Sequence, residues 1–528
     1  MKRIFLMASL LAATTIAYGQ DTYLNDRLTA TDDVIGTARY VGMGGALGAL
    51  GADLSVISSN PAGLGLYSKS DIALTFGAII PNNANGWNSG DGRSNYERLA
   101  RPSFDQIGFV WSMNMGDDQL SRINIAMNYQ KKANYNMGFY ADNLRLGGLS
   151  QMDQIAELAV GSNGNTYATD YNLAGMAVDN GYLSKDNVGY FNPYRGQEGY
   201  YTRHQRGSIQ AYNLSFSANV RSRFYAGVTF GFDKVKYLSW SAYAETNEDR
   251  DGTYGDYTLY NDREINGRGF NAKLGIIVRP IEDSPFRIGI AMETPTWYRM
   301  KQSSLYDLTD DVQHQRTKTL ESYIEYTVRT PWRGRLSLAS TIDKYLAWGV
   351  EYEYANMAKT SMGYPTYDKD GYHNLFDNSK DHAMNQLTKR TLRGQHTVKV
   401  GLEVKPFDKL AIRVGYNFIS NRYKENPSLD QYNLDSKSMD YFTSTDFMTL
   451  GATNIATFGL GFKHKSFYAD LAYKYRMQSA KFYAFDTGFA SAGTQFSEDN
   501  PQLTDATIDP VNIDLNRHQL MLTLGFKF

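Results

Sequence analysis

The sequence predicts an all-β protein: a 14-stranded antiparallel transmembrane β-barrel with an N-terminal hatch, or plug, in its lumen. Three observations carry this expectation. Apolar and polar residues alternate with a period of two through most of the chain. The connections between the alternating segments are tight and long in strict turn. Aromatic residues make up 14% of the 528, with 40 Tyr and 26 Phe, which suits a barrel whose rims need amphipathic rings at both membrane interfaces.

Taken in order, residues 1–19 read as a secretory signal peptide. Lys2 and Arg3 precede the apolar run "IFLMASLLAATTIAY", and Ala17-Tyr18-Gly19 offers a small-residue cut. The run is too short to span a membrane and no stop-transfer pattern follows. No Cys follows the cut, which rules out a lipoprotein signal, and the mature chain is expected to begin at Gln20.

Residues 20–69 come next and are too few for a domain. Within them "GMGGALGALGADLSVISSNPAGLGL" carries a single charge, Asp53. It is dry enough for a membrane, yet Gly42, Gly44, Gly45, Gly48 and Gly51 make a poor helix, at about 1 kcal/mol per interior Gly. Asn60-Pro61 would stop a helix in any case. A barrel of this size has a bore too wide for side chains to fill, so a compact Gly/Ala segment folded inward is the physical reading.

The barrel is expected over residues 70–528. Strands are read at 70–81, 104–115, 121–140, 207–220, 224–240, 264–279, 286–300, 319–342, 345–356, 392–405, 409–423, 451–463, 466–480 and 517–528. In "YLAWGVEYEY", Leu346, Trp348, Val350, Tyr352 and Tyr354 alternate with Ala347, Gly349, Glu351 and Glu353; "SFYADLAYKYR" and "QLMLTLGFKF" behave alike. The eighth strand absorbs Pro331 as a bend. Tight turns ("RSR", "DK", "PFD", "HK") define one end. Long polar loops near 82–103, 141–206, 241–263, 301–318, 357–391, 424–450 and 481–516 define the other, the extracellular side. The longest contains "QMDQIAELAV", a short helix over the mouth. A soluble sandwich or propeller would also alternate, but it has no reason to gather every long connection at one end. In lipid, closure is compulsory because unpaired backbone groups have no water to bond.

Here the opening segment becomes specific. Its Gly/Ala run, an Asp, then Asn-Pro-Ala before the first strand resembles the N-terminal hatch of the FadL-type outer-membrane channels for long-chain fatty acids and other hydrophobic compounds. Gly42, Gly44, Gly45, Ala46, Asp53, Asn60, Pro61 and Ala62 carry the match. The resemblance implies capture of a hydrophobic small molecule outside the cell, a shift of the hatch, and exit sideways into the bilayer between strands. Asn60-Pro61 has a plainer reading too, as the turn that aims the chain into the first strand. A sideways exit needs a kink, for which the candidate is "KKANYNMGFY" at Asn134, Asn136 and Gly138. Alternation puts Lys399, Arg413, Lys474 and Arg476 in the lumen as candidate ligand contacts, among Glu351, Glu353, Glu403 and Asp470. Pairing with one another and with the plug is the competing role for these charges.

Other classes are weighed against this. The balance of 54 Lys+Arg and 55 Asp+Glu excludes the basic excess of a nucleic-acid partner. With no Cys, thiolate metal sites and nucleophiles are gone. Neither G-x-S-x-G nor H-E-x-x-H occurs, so no catalytic residue, cofactor or metal is assigned. His373, His382 and Asp381 share one loop, and "NEDRDG" (247–252) is a fragment of a calcium loop; both are weak. The remaining partners expected are outer-membrane lipid and the barrel-assembly machinery, which would read the strand ending in Phe528. The rival functions are a partner-docking or secretion component and a receptor for haem-like ligands.

Overall fold

The computed structural model describes residues 22–30, 32–81, 101–116, 119–160, 173–185, 190–248, 255–313, 315–317, 319–367, 373–425, 443–486 and 508–528. The expected signal peptide and most of "NEDRDG" lie outside these residues. Fourteen antiparallel strands close into a barrel. They are β1 (Asp71–Pro81), β2 (Arg101–Asn114), β3 (Leu120–Asn134, resuming as Met137–Gly148), β4 (Arg195–Val220), β5 (Phe224–Glu248) and β6 (Tyr257–Val278). There follow β7 (Arg287–Glu293 and Trp297–Asp310), β8 (Leu320–Arg329 and Arg333–Ile342), β9 (Leu346–Asn356) and β10 (Gly394–Phe407). β11 (Leu410–Ile419), β12 (Phe447–His464), β13 (Phe467–Tyr483) and β14 (Arg517–Lys527) complete the circle. β1 pairs with β14 from Asp71↔Lys527 to Pro81↔Arg517, leaving no free edge there.

The alternation sorts the two faces. Ile72, Phe76, Leu471, Leu520 and Leu522 stand exposed on the outside, while Thr75, Asp470, Lys474, Gln519 and Thr523 are buried within. A wall of exposed large apolar side chains around a polar interior is unstable in water and suited to lipid, so the barrel is an outer-membrane one. At the tight end, Arg221 (φ 52) and Ser222 (φ 51) are both left-handed, the central pair of a turn that Arg223 N closes by donating to Val220 O (3.1 Å).

Two expectations need amending. Much of the polar sequence read as loop is strand: β4, β5 and β6 run 26, 25 and 22 residues. Their backbone ladders continue above the lipid, where the outward side chains turn polar and no apolar signal marks them. β7 also breaks, at Pro295, opposite the Pro331 break in β8. Thr330 N donates to Thr296 O (3.1 Å) and Thr296 N to Thr330 Oγ1 (2.8 Å), so the two proline gaps satisfy each other.

Above the bore, α3 (Gln151–Val160) and α4 (Leu173–Asp179) pack over the mouth. Their Met152, Ile155, Leu173 and Met176 join Phe139, Tyr201, Tyr257 and Phe482 in the largest apolar cluster.

Candidate functional site

Residues 22–67 lie inside the barrel and touch nearly every strand. The segment opens with α1 (Thr22–Thr29) and α2 (Ala38–Gly42), then two 3₁₀ turns, Leu54–Ser58 and Pro61–Leu66. Ala38 N donates to Thr523 Oγ1 of β14 (2.7 Å) and Thr457 Oγ1 of β12 to Gly42 O (3.2 Å). Arg287 of β7 donates to Leu50 O (3.0 Å), and Asn124 of β3 to Leu64 O (2.6 Å). Ser55 Oγ reaches Gln106 of β2 (2.8 Å).

Glycine makes the fit possible from both sides. Gly44 is left-handed (φ 61), and a Cβ on it would stand 2.8 Å from Tyr416 N and 2.9 Å from Val400 O. The wall answers with Gly349, Gly401 and Gly415, neighbours on β9, β10 and β11. A Cβ on any of them would strike the backbone of Met43, Gly44 or Ala46. The same device serves Asn60-Pro61-Ala62: a Cβ at Gly227 of β5 would stand 2.5 Å from Pro61 C and 2.7 Å from Ala62 N. Asn60 caps its own turn by accepting from Ala62 N (3.1 Å). Asp53 does so for the preceding turn, accepting from Ser55 N and Thr37 Oγ1 (2.8 Å each). Gly45 (φ 81) lies against Val34 and Lys399.

The lumen cations are all buried and all engaged. Lys399 binds Glu351 (2.7 Å), and Arg413 bridges Glu403 and Asp470 (2.6 Å each). Lys474 holds Asp33 (2.7 Å) and Val34 O (2.9 Å) of the segment, and Arg476 donates to Asp32 O (3.2 Å) and Gln478. Around them stand groups that the strand pattern alone did not single out: Arg422 on Asp26 (2.6 Å) and Asp32, Arg517 on Asp33 (3.2 Å), and Arg39 on Glu403 (3.3 Å). Their sequence signal is the acidic set Asp26, Asp32 and Asp33 just ahead of the glycine-rich run. Burial alone would raise the Asp33 pKa, but Lys474 and Arg517 outweigh it and hold the carboxyl at about 2.

β3 is interrupted where Asn134, Asn136 and Gly138 fall. Strand pairing stops at Asn134 and resumes at Met137. Asn134 Oδ1 accepts from Asn136 N (2.9 Å), and Asn136 Oδ1 from Gly207 N (3.2 Å), side chains replacing ladder bonds. β2 and β3 pair only from Asn114↔Arg122 to Gln106↔Gln130. Beyond Gln130, among the described residues, β3 is laddered to β4 alone. Immediately inside this gap lies a cavity of about 130 Å³. Residues 133–138 of β3 form one wall; Ala30, Met448 and Leu450 add apolar surface, and Arg27, Arg476 and Arg517 are set against Asp32, Asp33 and Asp514. The structure thus brings Arg476 to the break, whereas Lys399 borders a second, polar cavity of about 90 Å³ and Arg413 and Lys474 are locked in ion pairs.

These features define a class: a closed lipid-facing barrel whose bore is occupied by its own N-terminal segment. The 14-stranded barrel matches FadL-like barrels in fold. The chain is similar to the toluene transporter TodX of P. putida over 94% of its length and 99% of that chain (TM-score 0.50, 11% identity). It is similar to a Pseudomonas aeruginosa FadL homologue over 94% and 98% (0.50, 12%) and to the deltaS2 mutant of the TodX monoaromatic hydrocarbon channel over 94% and 100% (0.51, 11%). No protein-family model matches the sequence, and no curated protein matches it.

Proposed function

We propose that the chain is a passive outer-membrane channel for hydrophobic small molecules, long-chain fatty acids or similar compounds, in which residues 20–69 are a hatch and the break in β3 is the exit. The observation that carries this reading is the cavity set against the strand gap, beneath an apolar mouth and above a floor of ion pairs. An apolar ligand gains about 0.8 kcal/mol per CH₂ by staying out of water. Descent from Phe139 and Tyr201 into the cavity brings it against Tyr135, Met137, Met448 and Leu450, with polar groups on the remaining walls. Going straight on would mean parting Lys474 from Asp33 and Arg413 from Asp470, whereas moving sideways past Asn134–Gly138 leads to lipid. At about 130 Å³ the cavity is close to the volume of about 150 Å³ that accepts a benzene, so a ring or one end of a longer chain fits without rearrangement. Arg476, whose own bonds go to neutral acceptors, stands where a carboxylate would be met. A structural neighbour named as a toluene transporter and another named as a FadL homologue support the same class of cargo.

The test is uptake of labelled toluene and oleate by cells producing the chain, with Ala133→Trp to fill the cavity. Uptake of one or both, lost in the variant while the barrel still assembles, is expected. Absence of uptake for every apolar probe would refute the proposal and leave docking as the function.

A further inference from the structure

The outer wall of the barrel is not uniform at its extracellular rim. On β4–β7, directly above the lipid-facing residues, exposed or half-buried cations project outward: Arg206, Lys234, Lys236, Arg268, Arg299 and Lys301. Lys234 is directly opposite Arg268, and Arg268 directly opposite Arg299, so three consecutive strands place like charges side by side. Opposed like charges in a sheet are unfavourable. One carboxylate answers part of the row: Glu325 holds Arg299 and Lys301 (2.6 Å each). Arg206, Lys234, Lys236 and Arg268 make no ion pair among the described residues.

Height identifies what faces them. Lys234 stands ten residues above Phe224 on β5, which at about 3.3 Å per residue and a tilt of about 40° is about 25 Å, the thickness of the apolar band of such barrels. Immediately below runs a chain of rings, Phe232–Phe270 (5.3 Å) and Phe270–Trp297 (6.4 Å), with Arg329 over the Trp297 face (5.9 Å). Rings mark the boundary between acyl chains and headgroups, so the cations sit at headgroup level in the outer leaflet. The opposite side of the rim is different. Tyr352 and Tyr354 with His396, and Tyr473 and Tyr475 with His518, form two ring clusters there, and the exposed cation Lys481 of β13 stands opposite Thr449 and Asn512 rather than another cation.

We infer that the β4–β7 rim is a binding site for a phosphorylated lipid of the outer leaflet, whose headgroup phosphates neutralise Lys234, Lys236 and Arg268 while its acyl chains lie on Phe232, Phe270 and Trp297. The charge complementarity is what Lys234, Lys236 and Arg268 lack on their own, and the direct opposition of Lys234 to Arg268 sets them apart from a single rim cation such as Lys481. It stands apart from the channel reading.

The experiment uses the purified full chain in neutral detergent, with native mass spectrometry against diphosphorylated lipid A, its dephosphorylated form, and inorganic phosphate as competitor. Binding of the phosphorylated lipid alone, undisturbed by millimolar phosphate, is expected. At about a fivefold change per cation, Lys234→Gln/Lys236→Gln/Arg268→Gln should bind it on the order of 100-fold more weakly. The control Lys344→Gln/Lys409→Gln/Lys463→Gln, at the tight-turn end, should bind as the unaltered chain does. Equal binding of the dephosphorylated lipid, full displacement by free phosphate, or triple-variant binding within twofold of normal would each overturn the inference. The first two readings need no variant.

Discussion

Replacing Gly415 by Val tests the seating of the N-terminal segment against the wall. A Cβ there would stand 2.5 Å from Met43 C and 2.6 Å from Thr457 Oγ1, where ordinary contact begins near 3.4 Å. The barrel strand is held by ladder bonds on both sides, Gly401↔Gly415 and Gly415↔Thr457, so the segment must retreat by about 1 Å. That retreat weakens the Thr457 bond to Gly42 O and the bridge from Arg39 to Glu403. Overpacking of this kind costs about 1–3 kcal/mol, which raises the population of the displaced segment by roughly 5- to 150-fold. Single-channel recording in planar bilayers reads this as more frequent opening of a wide pore. Gly334→Val is the control, since nothing lies within 4 Å of a Cβ there. Unchanged conductance in a Gly415→Val barrel that retains heat-modifiable migration would refute the reasoning.

Four further outcomes follow from the same contacts. Arg422→Met leaves Asp26 and Asp32 buried without their cation and should destabilise the seated segment by about 3–5 kcal/mol, measured as hydrogen exchange in residues 22–35. Asn134→Val/Asn136→Val should restore strand pairing across the break and lower uptake at least tenfold with assembly intact; equal loss of both would make the break a folding element only. Asn60→Ala removes a turn cap and should cost about 1 kcal/mol, seen as raised conductance smaller than that of Gly415→Val. Burial raises Asp153 of α3 to about 7 despite its bonds from Ser150 and Asn192. A raised carboxyl stabilises docking only while protonated. The contribution is therefore complete below about 3.8, falls by about 1.4 kcal/mol per pH unit toward about 7, and is absent above it. Exchange of α3 amides should accelerate over that window, and Asp153→Asn should flatten the profile.

How much of this the sequence disclosed depends on which force set each feature. Strand positions were legible because lipid on one side and water on the other impose a period of two, but at Pro331 the strand breaks, between Arg329 and Arg333, where a bend was expected. The strand extensions above the membrane were not, because Tyr200, Thr202 and Thr246 face water on the outside and look like loop. Glycines within the segment were visible as a dense run. Their counterparts Gly227, Gly349, Gly401 and Gly415 were not, since none belongs to a glycine run and only closure aligns them. Lumen charges could be placed inward by parity, but their partners could not be assigned: Arg422 meets Asp26 across 396 residues. The cationic rim is of the same kind, being six residues on four strands that only the register brings together.

The central claim is that an apolar small molecule occupies the cavity beside the broken strand of a barrel stoppered by its own N-terminal segment. The most direct measurement is mass spectrometry of organic extracts from the purified, detergent-solubilised chain. An apolar compound in near-equimolar amount, absent from Ala133→Trp, is the predicted result. An extract holding no compound in such amount, or the same compound retained by Ala133→Trp, would contradict the account.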